Sequence, residues 1–230
     1  MEQPAVSTDT LVEVARSLAE QEGLDATLQR IVDLAVRTVP GAEHAGVSLV
    51  RSRRVVETPA ATGDVVVRVD QVQYETGQGP CLDAIWEQEV VELQDLSATD
   101  RWPEFAHRAT ELGVRSMVSF RLFVERDTSG ALNFYSSNAQ AFGQEAVRVG
   151  HVFAAHAGLA YDHEKQVSGL RRAVESRTLI GQAQGILMAQ HRVTADQAFG
   201  LLRVASQRRN VKLRDVAQEV VDTGTVSGAP

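Results

Sequence analysis

Residues 176–188 read Ser176-Arg-Thr-Leu-Ile-Gly-Gln-Ala-Gln-Gly-Ile-Leu-Met188, and two further apolar blocks follow closely, Ala198-Phe-Gly-Leu-Leu-Arg203 and Leu213-Arg-Asp-Val-Ala217. In the first block Ile180, Ala183 and Leu187 recur at helical spacing. Between the first two blocks, Thr194-Ala-Asp-Gln197 has the form of a capping box, in which the threonine accepts from a free backbone N–H and the glutamine reaches back. Ala198, Leu201, Leu202 and Ala205 then give one buried face, and Leu213, Val216, Ala217, Val220 and Val221 give another. The reading is three short helices in succession, with Leu187 and Met188 in their core and a loose end from Gly224 to Pro230. A unit this small buries little apolar surface, so it is expected to lean on a partner chain or on the helix before it. Gly185 stands inside the first helix at a cost of about 1 kcal/mol relative to alanine, which points to something approaching the backbone there, either Phe199 of the next helix or an external ligand.

Charge divides the chain at the same place. Residues 166–230 carry nine lysines and arginines against five acids, a net +4, which leaves 14 against 25, a net −11, for residues 1–165. A basic end on an acidic body suits a polyanionic partner, although a solvated arginine-rich face has the same composition. Apolar residues make up 43% of the 230 and charged ones 23%, the balance of a globular protein. No apolar run is long enough to cross a bilayer, and the polar stretch after Met1–Pro4 lacks the apolar region of a secretory leader, so a cytoplasmic location is expected. Cys81 is the only cysteine, which excludes an internal disulfide and a Cys-based zinc cluster within one chain.

Ahead of the basic end the elements alternate. Leu11, Val14, Ala15, Leu18 and Ala19 predict a first helix. Leu28, Ile31, Val32, Ala35, Val36 and Val39 predict a second, capped at Asp25 and stopped by Pro40-Gly41. Three β-branched runs, 45–50, 55–58 and 65–69, predict strands. A glycine-rich loop (Thr76-Gly-Gln-Gly-Pro80), a short helix from Cys81 and a strand at Val90–Leu93 follow, then a helix opened by Pro103. Ser116–Val124 and Ala131–Ser136 are the strongest strand signals and are placed at the centre of an antiparallel sheet. From Gln144 to about Gln190 the chain reads as continuous helix, with an intermittent stripe at Val152, Leu159, Val167, Leu170 and Val174. That stripe suits a homodimer, although Gly158, Asp162 and Gly169 interrupt a strict heptad and packing on the sheet is the alternative for its first part. The fold class is α+β.

The blocks quoted at the outset resemble an ANTAR domain. Ala183-Gln-Gly-Ile-Leu-Met188, Ala198-Phe-Gly-Leu-Leu-Arg203 and Leu213-Arg-Asp-Val-Ala217 fall together in the order of that family's pattern, with Gln184 where many members carry lysine. The resemblance implies a three-helix bundle after a linker helix, binding paired RNA hairpins to prevent transcription termination. The residues expected to meet RNA are Arg177, Gln184, Arg203, Arg208, Arg209 and Lys212, because guanidinium groups contact phosphate and stack on unpaired bases.

Residues 1–165 resemble a GAF domain. Tyr74-Glu-Thr-Gly-Gln-Gly-Pro-Cys-Leu-Asp-Ala84, Arg101-Trp-Pro103, Leu112-Gly-Val-Arg-Ser116 and Gly130-Ala-Leu-Asn-Phe-Tyr135 carry the likeness. It implies an antiparallel sheet flanked by helices, a cover at residues 78–85, and a small-molecule or signalling-protein input. The pocket candidates are Gln78, Cys81, Ser119, Arg121, Asn133 and Tyr135. A purely structural GAF unit is the alternative. The implied domains are a sensor unit at 1–165 and an RNA-binding unit at 166–230.

Other classes fit less well. GAF-type reduction of methionine sulfoxide needs a second thiol, and bilin attachment at Cys81 meets Leu82 where histidine is usual. Haem ligation by His107, His151, His156 or His163 stays open, and His156 and His163 equally suit a dimer seam. No nucleophile, base and orienter arrangement is visible, and neither an enzyme nor a resident cofactor or metal is expected. A DNA-binding helix-turn-helix is disfavoured by the glycine-free turn at His191–Thr194, and the acidic cluster of a phosphorelay receiver is missing.

Overall fold

The computed structural model describes residues 23–51, 55–125 and 128–225; the predicted first helix at 11–19 and the end after 225 lie outside them. The chain divides into two compact units between Glu164 and Lys165. In chain order the first contains α1 (Leu24–Thr38), β1 (His44–Arg51), β2 (Val55–Ala61), α2 (Asp64–Thr76), α3 (Pro80–Trp86), β3 (Val90–Leu93), a 3-10 turn (Leu96–Ala98), α4 (Pro103–Glu111), β4 (Ser116–Val124), β5 (Thr128–Ser136) and the start of α5 (Gln144–His191). The five strands form one sheet in the order β2-β1-β5-β4-β3, with every neighbouring pair antiparallel.

Two corrections concern local sequence. The run 65–69 is not a strand but the first part of α2. Val66, Val69, Val72 and Gln73 are buried while Val67 is 47% exposed, which is helical periodicity, and β-branched content alone cannot distinguish a short strand from a buried helix. Nor is Asp25 a cap: Gly23 holds that position, with φ 89° and no side-chain cap bond. Asp25 falls in the first turn, where a carboxylate complements the helix dipole.

Alternation along the strands separates two cores. Ala45, Val47, Leu49, Val118, Phe120, Leu132 and Phe134 pack with Leu28, Ile31 and Val32 of α1 and with Val149, Phe153 and Ala157 of α5. Close approach of α5 to the sheet depends on Gly150, where a Cβ would lie 2.4 Å from the Phe120 ring. Met117 and Tyr135 turn the other way, into a core with Val66, Val69 and Val72 of α2 and Phe105, Ala106 and Ala109 of α4. This second face carries the polar groups.

The C-terminal unit holds the rest of α5 with α6 (Ala195–Arg209) and α7 (Leu213–Thr223) around Ala183, Leu187, Ala198, Leu202, Ala205, Val216, Ala217 and Val220. Both halves of the capping box are present, with Gln197 N–H donating to Thr194 Oγ1 at 3.3 Å and Thr194 N–H to Gln197 Oε1 at 3.0 Å. Asn210 ends α6 in the left-handed region, with φ 51°. Met188 is not in this core; it is 38% exposed, because it stands about 100° round the helix from the buried Leu187. Packing by Phe199 does not account for Gly185 either: a Cβ there would meet nothing within 4 Å, and Phe199 is itself 39% exposed.

Candidate functional site

The N-terminal unit concentrates its polarity under α2 and α3. On β4 and β5 the odd-numbered positions face this side, with Met117 opposite Tyr135, Ser119 opposite Asn133 and Arg121 opposite Ala131. Asp70, fully buried on α2, is the centre of the cluster. It accepts hydrogen bonds from the hydroxyls of Ser48 (2.9 Å), Thr58 (2.9 Å), Tyr74 (3.3 Å) and Tyr135, and from the Gln73 amide (3.3 Å). Asn133 Nδ2 donates to Ser48 Oγ at 2.8 Å, and the Cys81 N–H donates to Gln73 Oε1 at 2.9 Å. Asn133 Oδ1 and Ser119 Oγ are buried and have no partner among the described residues.

Burial dominates the titration of these groups. It raises the Asp70 carboxyl above its ordinary range, against the opposing pull of the Tyr135, Ser48, Thr58 and Tyr74 donors. Burial, followed by the charge of Asp70, pushes the Cys81 thiol up to about 12. Such a thiol is a poor nucleophile, since attack requires the thiolate.

Of the predicted pocket residues, Cys81, Ser119, Asn133 and Tyr135 therefore lie on the buried polar face. Arg121 shares the face but is half-buried, and its guanidinium joins no hydrogen bond or ion pair among the described residues. Gln78 serves elsewhere, its Oε1 accepting from the N–H of Glu104 at 3.2 Å at the start of α4. The predicted cover is α3, held by Asp83, which accepts from Trp102 Nε1 at 3.1 Å and pairs with Arg101 at 2.8 Å. Asp70, Ser48, Thr58, Gln73 and Tyr74 are not among the residues the sequence singles out; the helix Asp64–Thr76 is what brings Asp70, Gln73 and Tyr74 together at i, i+3 and i+4. An open groove of about 420 Å³ lies apart from all these candidates, lined by Val67, Arg68, Gln71, Val72, Arg108, Glu111 and Leu112.

The C-terminal unit is arranged oppositely. Arg177, Arg203, Arg208 and Lys212 are exposed and form no ion pair among the described residues. Arg209 pairs with Glu219 at 2.6 Å, and the half-buried Gln184 donates to the Ala195 carbonyl at 3.0 Å, joining α5 to the first turn of α6. Four of the six predicted RNA contacts thus present uncommitted charge, and two hold the bundle together.

A GAF domain model matches residues 21–162, and an ANTAR domain model matches residues 168–221. The chain belongs to the GAF domain family. Its ANTAR domain follows directly, giving the architecture of a GAF–ANTAR regulator. No curated protein matches the chain. Among solved structures, it is similar to the GAF domain of a phosphoenolpyruvate-protein phosphotransferase from Coxiella burnetii, at 14% identity over 70% of this chain and 95% of that one, with a TM-score of 0.58. It is also similar to the corresponding GAF domain from Acinetobacter, at 18% identity over 69% and 94%, TM-score 0.54. A free methionine-R-sulfoxide reductase from Neisseria meningitidis, solved with its substrate, matches at 17% identity over 73% and 98%, TM-score 0.54. At these identities the likeness is one of GAF fold. Among the described residues no helix is long and apolar enough to cross a membrane, and no group of three or more His, Cys, Asp and Glu side chains is placed to hold a metal.

Proposed function

We propose that this protein is a cytoplasmic, RNA-binding regulator of transcription, acting by antitermination through paired RNA hairpins under the control of a signal sensed at its GAF unit. In this reading residues 1–165 sense and residues 166–230 bind. The observation that carries it is the set of uncommitted cations Arg177, Arg203, Arg208 and Lys212 on an ANTAR bundle of net charge +4. Cations without acidic partners neutralise phosphates and release counterions, which is the main source of affinity for nucleic acid. Gln184 and Arg209 contribute by holding the helices that carry them.

A homodimer would present two such bundles to two hairpins. Leu170 and Val174, 69% and 62% exposed on α5, supply an apolar seam for it. The GAF input, a small molecule or a signalling protein, would act by setting how two α5 helices pair. A redox enzyme is disfavoured by a lone, buried Cys81 whose thiol is pushed up to about 12.

The test is crosslinking of the tagged full-length protein to RNA in its host, followed by sequencing. The control is the fourfold variant Arg177→Ala, Arg203→Ala, Arg208→Ala, Lys212→Ala. Hairpin pairs in leader transcripts are expected to be enriched and to be lost in the variant. Equal recovery by both proteins, or none by either, would remove the RNA reading.

A further inference from the structure

The open groove between α2 and α4 stands outside the buried polar face of the GAF unit and combines an apolar floor with an uncommitted cation. Beneath it the two helices pack through Val69 and Val72 of α2 and Ala106 and Ala109 of α4. Val67 and Gln71, and beside them Arg68 and Val72, are four apart and line one wall. Arg108, Glu111 and Leu112, at i, i+3 and i+4, line the other. Val72 is buried, Leu112 half-buried and Val67 47% exposed, so apolar surface continues from the core out to solvent. Glu75 ties the walls together, accepting from Arg108 Nη2 at 2.6 Å and from Gln71 Nε2 at 2.9 Å. Arg68 is exposed and joins no hydrogen bond or ion pair among the described residues. Glu111 faces His107 of its own helix, with Oε2 3.9 Å from Nδ1.

We propose that this groove binds a small amphipathic monoanion, a free organic acid whose apolar chain lies on Val67, Val72 and Leu112 and whose one anionic group pairs with Arg68. The proposal concerns the GAF unit alone and goes beyond the RNA-binding reading, which stands or falls separately. Size selects a small molecule: about 420 Å³ lies within the range of small-molecule sites, roughly 300–1,000 Å³. A protein partner would cover about 800 Å² on its side, and among the described residues Val67 is the only exposed large apolar side chain that lines the groove. Charge selects an anion. The ionisable lining residues are two arginines and one glutamate, in a part of the chain, residues 1–165, of net charge −11. Glu75 neutralises Arg108, which leaves the Arg68 guanidinium to hold a carboxylate through two parallel N–H donors. Glu111, on the opposite wall, repels a second negative charge, so the groove favours a monoanion over a dianion.

The experiment titrates full-length protein with octanoate and with octanedioate, which has the same chain length and a second carboxylate, and follows the backbone amides by NMR. Octanoate is expected to bind saturably and to shift the amides of residues 67–72 and 108–112. Arg68→Ala should weaken it by about fivefold, the upper end for an exposed ion pair. Val67→Ser should weaken it by about fourfold, as loss of one buried methylene requires. Octanedioate should bind the wild type more weakly than octanoate. Glu111→Gln is the most discriminating variant, because it should raise affinity for octanedioate while leaving octanoate within about twofold, and a gain of binding cannot come from damage to the fold. Val67, Arg68 and Glu111 are all exposed, so the thermal midpoints of the three variants should stay within a few degrees of the wild type. No saturable shift with octanoate overturns the proposal, as does unchanged affinity in both Arg68→Ala and Val67→Ser. Binding that is lost in Asn133→Leu and kept in Arg68→Ala would place the acid beneath α3 and overturn the groove as its site. Each of these results leaves RNA binding untouched, so failure here and failure of the RNA reading are separate observations.

Discussion

The GAF and ANTAR units treat charge in opposite ways. Asp70 of the sensor is fully buried, and hydroxyl and amide donors supply its hydrogen bonds in place of water. In the ANTAR unit Arg177, Arg203, Arg208 and Lys212 stand exposed, without acidic partners among the described residues. A buried carboxyl is tolerable only when its surroundings satisfy its hydrogen bonds, so Asp70 reports on the internal order of the GAF unit. An exposed cation costs almost nothing to keep, so it is available to a polyanion. One unit encloses its ionisable group and the other presents its charges to solvent.

The largest expected effect comes from removing the buried acid. Asp70→Ala leaves Tyr135, Ser48 and Thr58 without their acceptor and should cost about 3–5 kcal/mol of sensor stability in denaturant unfolding. A variant as stable as the wild type would break the contrast on the sensor side. On the ANTAR side the corresponding test compares neighbours. Leu187→Ala empties a fully buried site and should cost about 2–5 kcal/mol, whereas Met188→Ala, beside it but 38% exposed, should cost under about 1 kcal/mol. Equal costs would contradict the orientation of α5.

Titration sharpens the comparison at smaller magnitude. Because the Asp70 carboxyl is raised in the folded state, its contribution is fully present below the unfolded value of about 3.8. It is lost as pH rises through the raised folded value. Glu43, lowered chiefly by the Ser137 N–H, has the opposite sign and loses its contribution as pH falls. Subtracting the stability of Asp70→Asn from that of the wild type across pH 4 to 7 should therefore give a difference that declines with rising pH; a flat or rising difference would contradict it. Cys81 should resist alkylation at pH 8 until the protein unfolds, and rapid native labelling would show the α3 cover to be open. The smallest effect is expected for Glu219→Gln, which releases Arg209 from a partly exposed pair and should change stability by about 1 kcal/mol or less.

How legible each region was in the sequence follows from the same physics. The ANTAR helices declare themselves because their apolar period is long and Thr194-Ala-Asp-Gln197 marks a start by local bonding alone. β4 and β5 are equally plain, and alternation along them correctly groups Ser119, Arg121, Asn133 and Tyr135 on one face. The run 65–69 reads as a strand because five residues sample too little of either period, and Asp70 beside it draws its importance from groups on β1, β2 and β5 that only the fold assembles. Gly185 points to a close neighbour, but the space above it is empty, a tertiary fact. Gln78 and Gln184 illustrate the converse: both sit in family motifs, and both are engaged in bonds to the backbone of the chain itself.

The central claim, that the uncommitted cations of the ANTAR unit exist to meet RNA phosphate, is tested most directly by a salt titration of hairpin binding. Full-length wild type and the variant lacking Arg177, Arg203, Arg208 and Lys212 would be compared on one RNA. The account predicts that the slope of log affinity against log salt falls by about three in the variant while its thermal midpoint stays within a few degrees of the wild type. An unchanged slope, with binding intact, would show that these cations do not contact the RNA and would contradict the account.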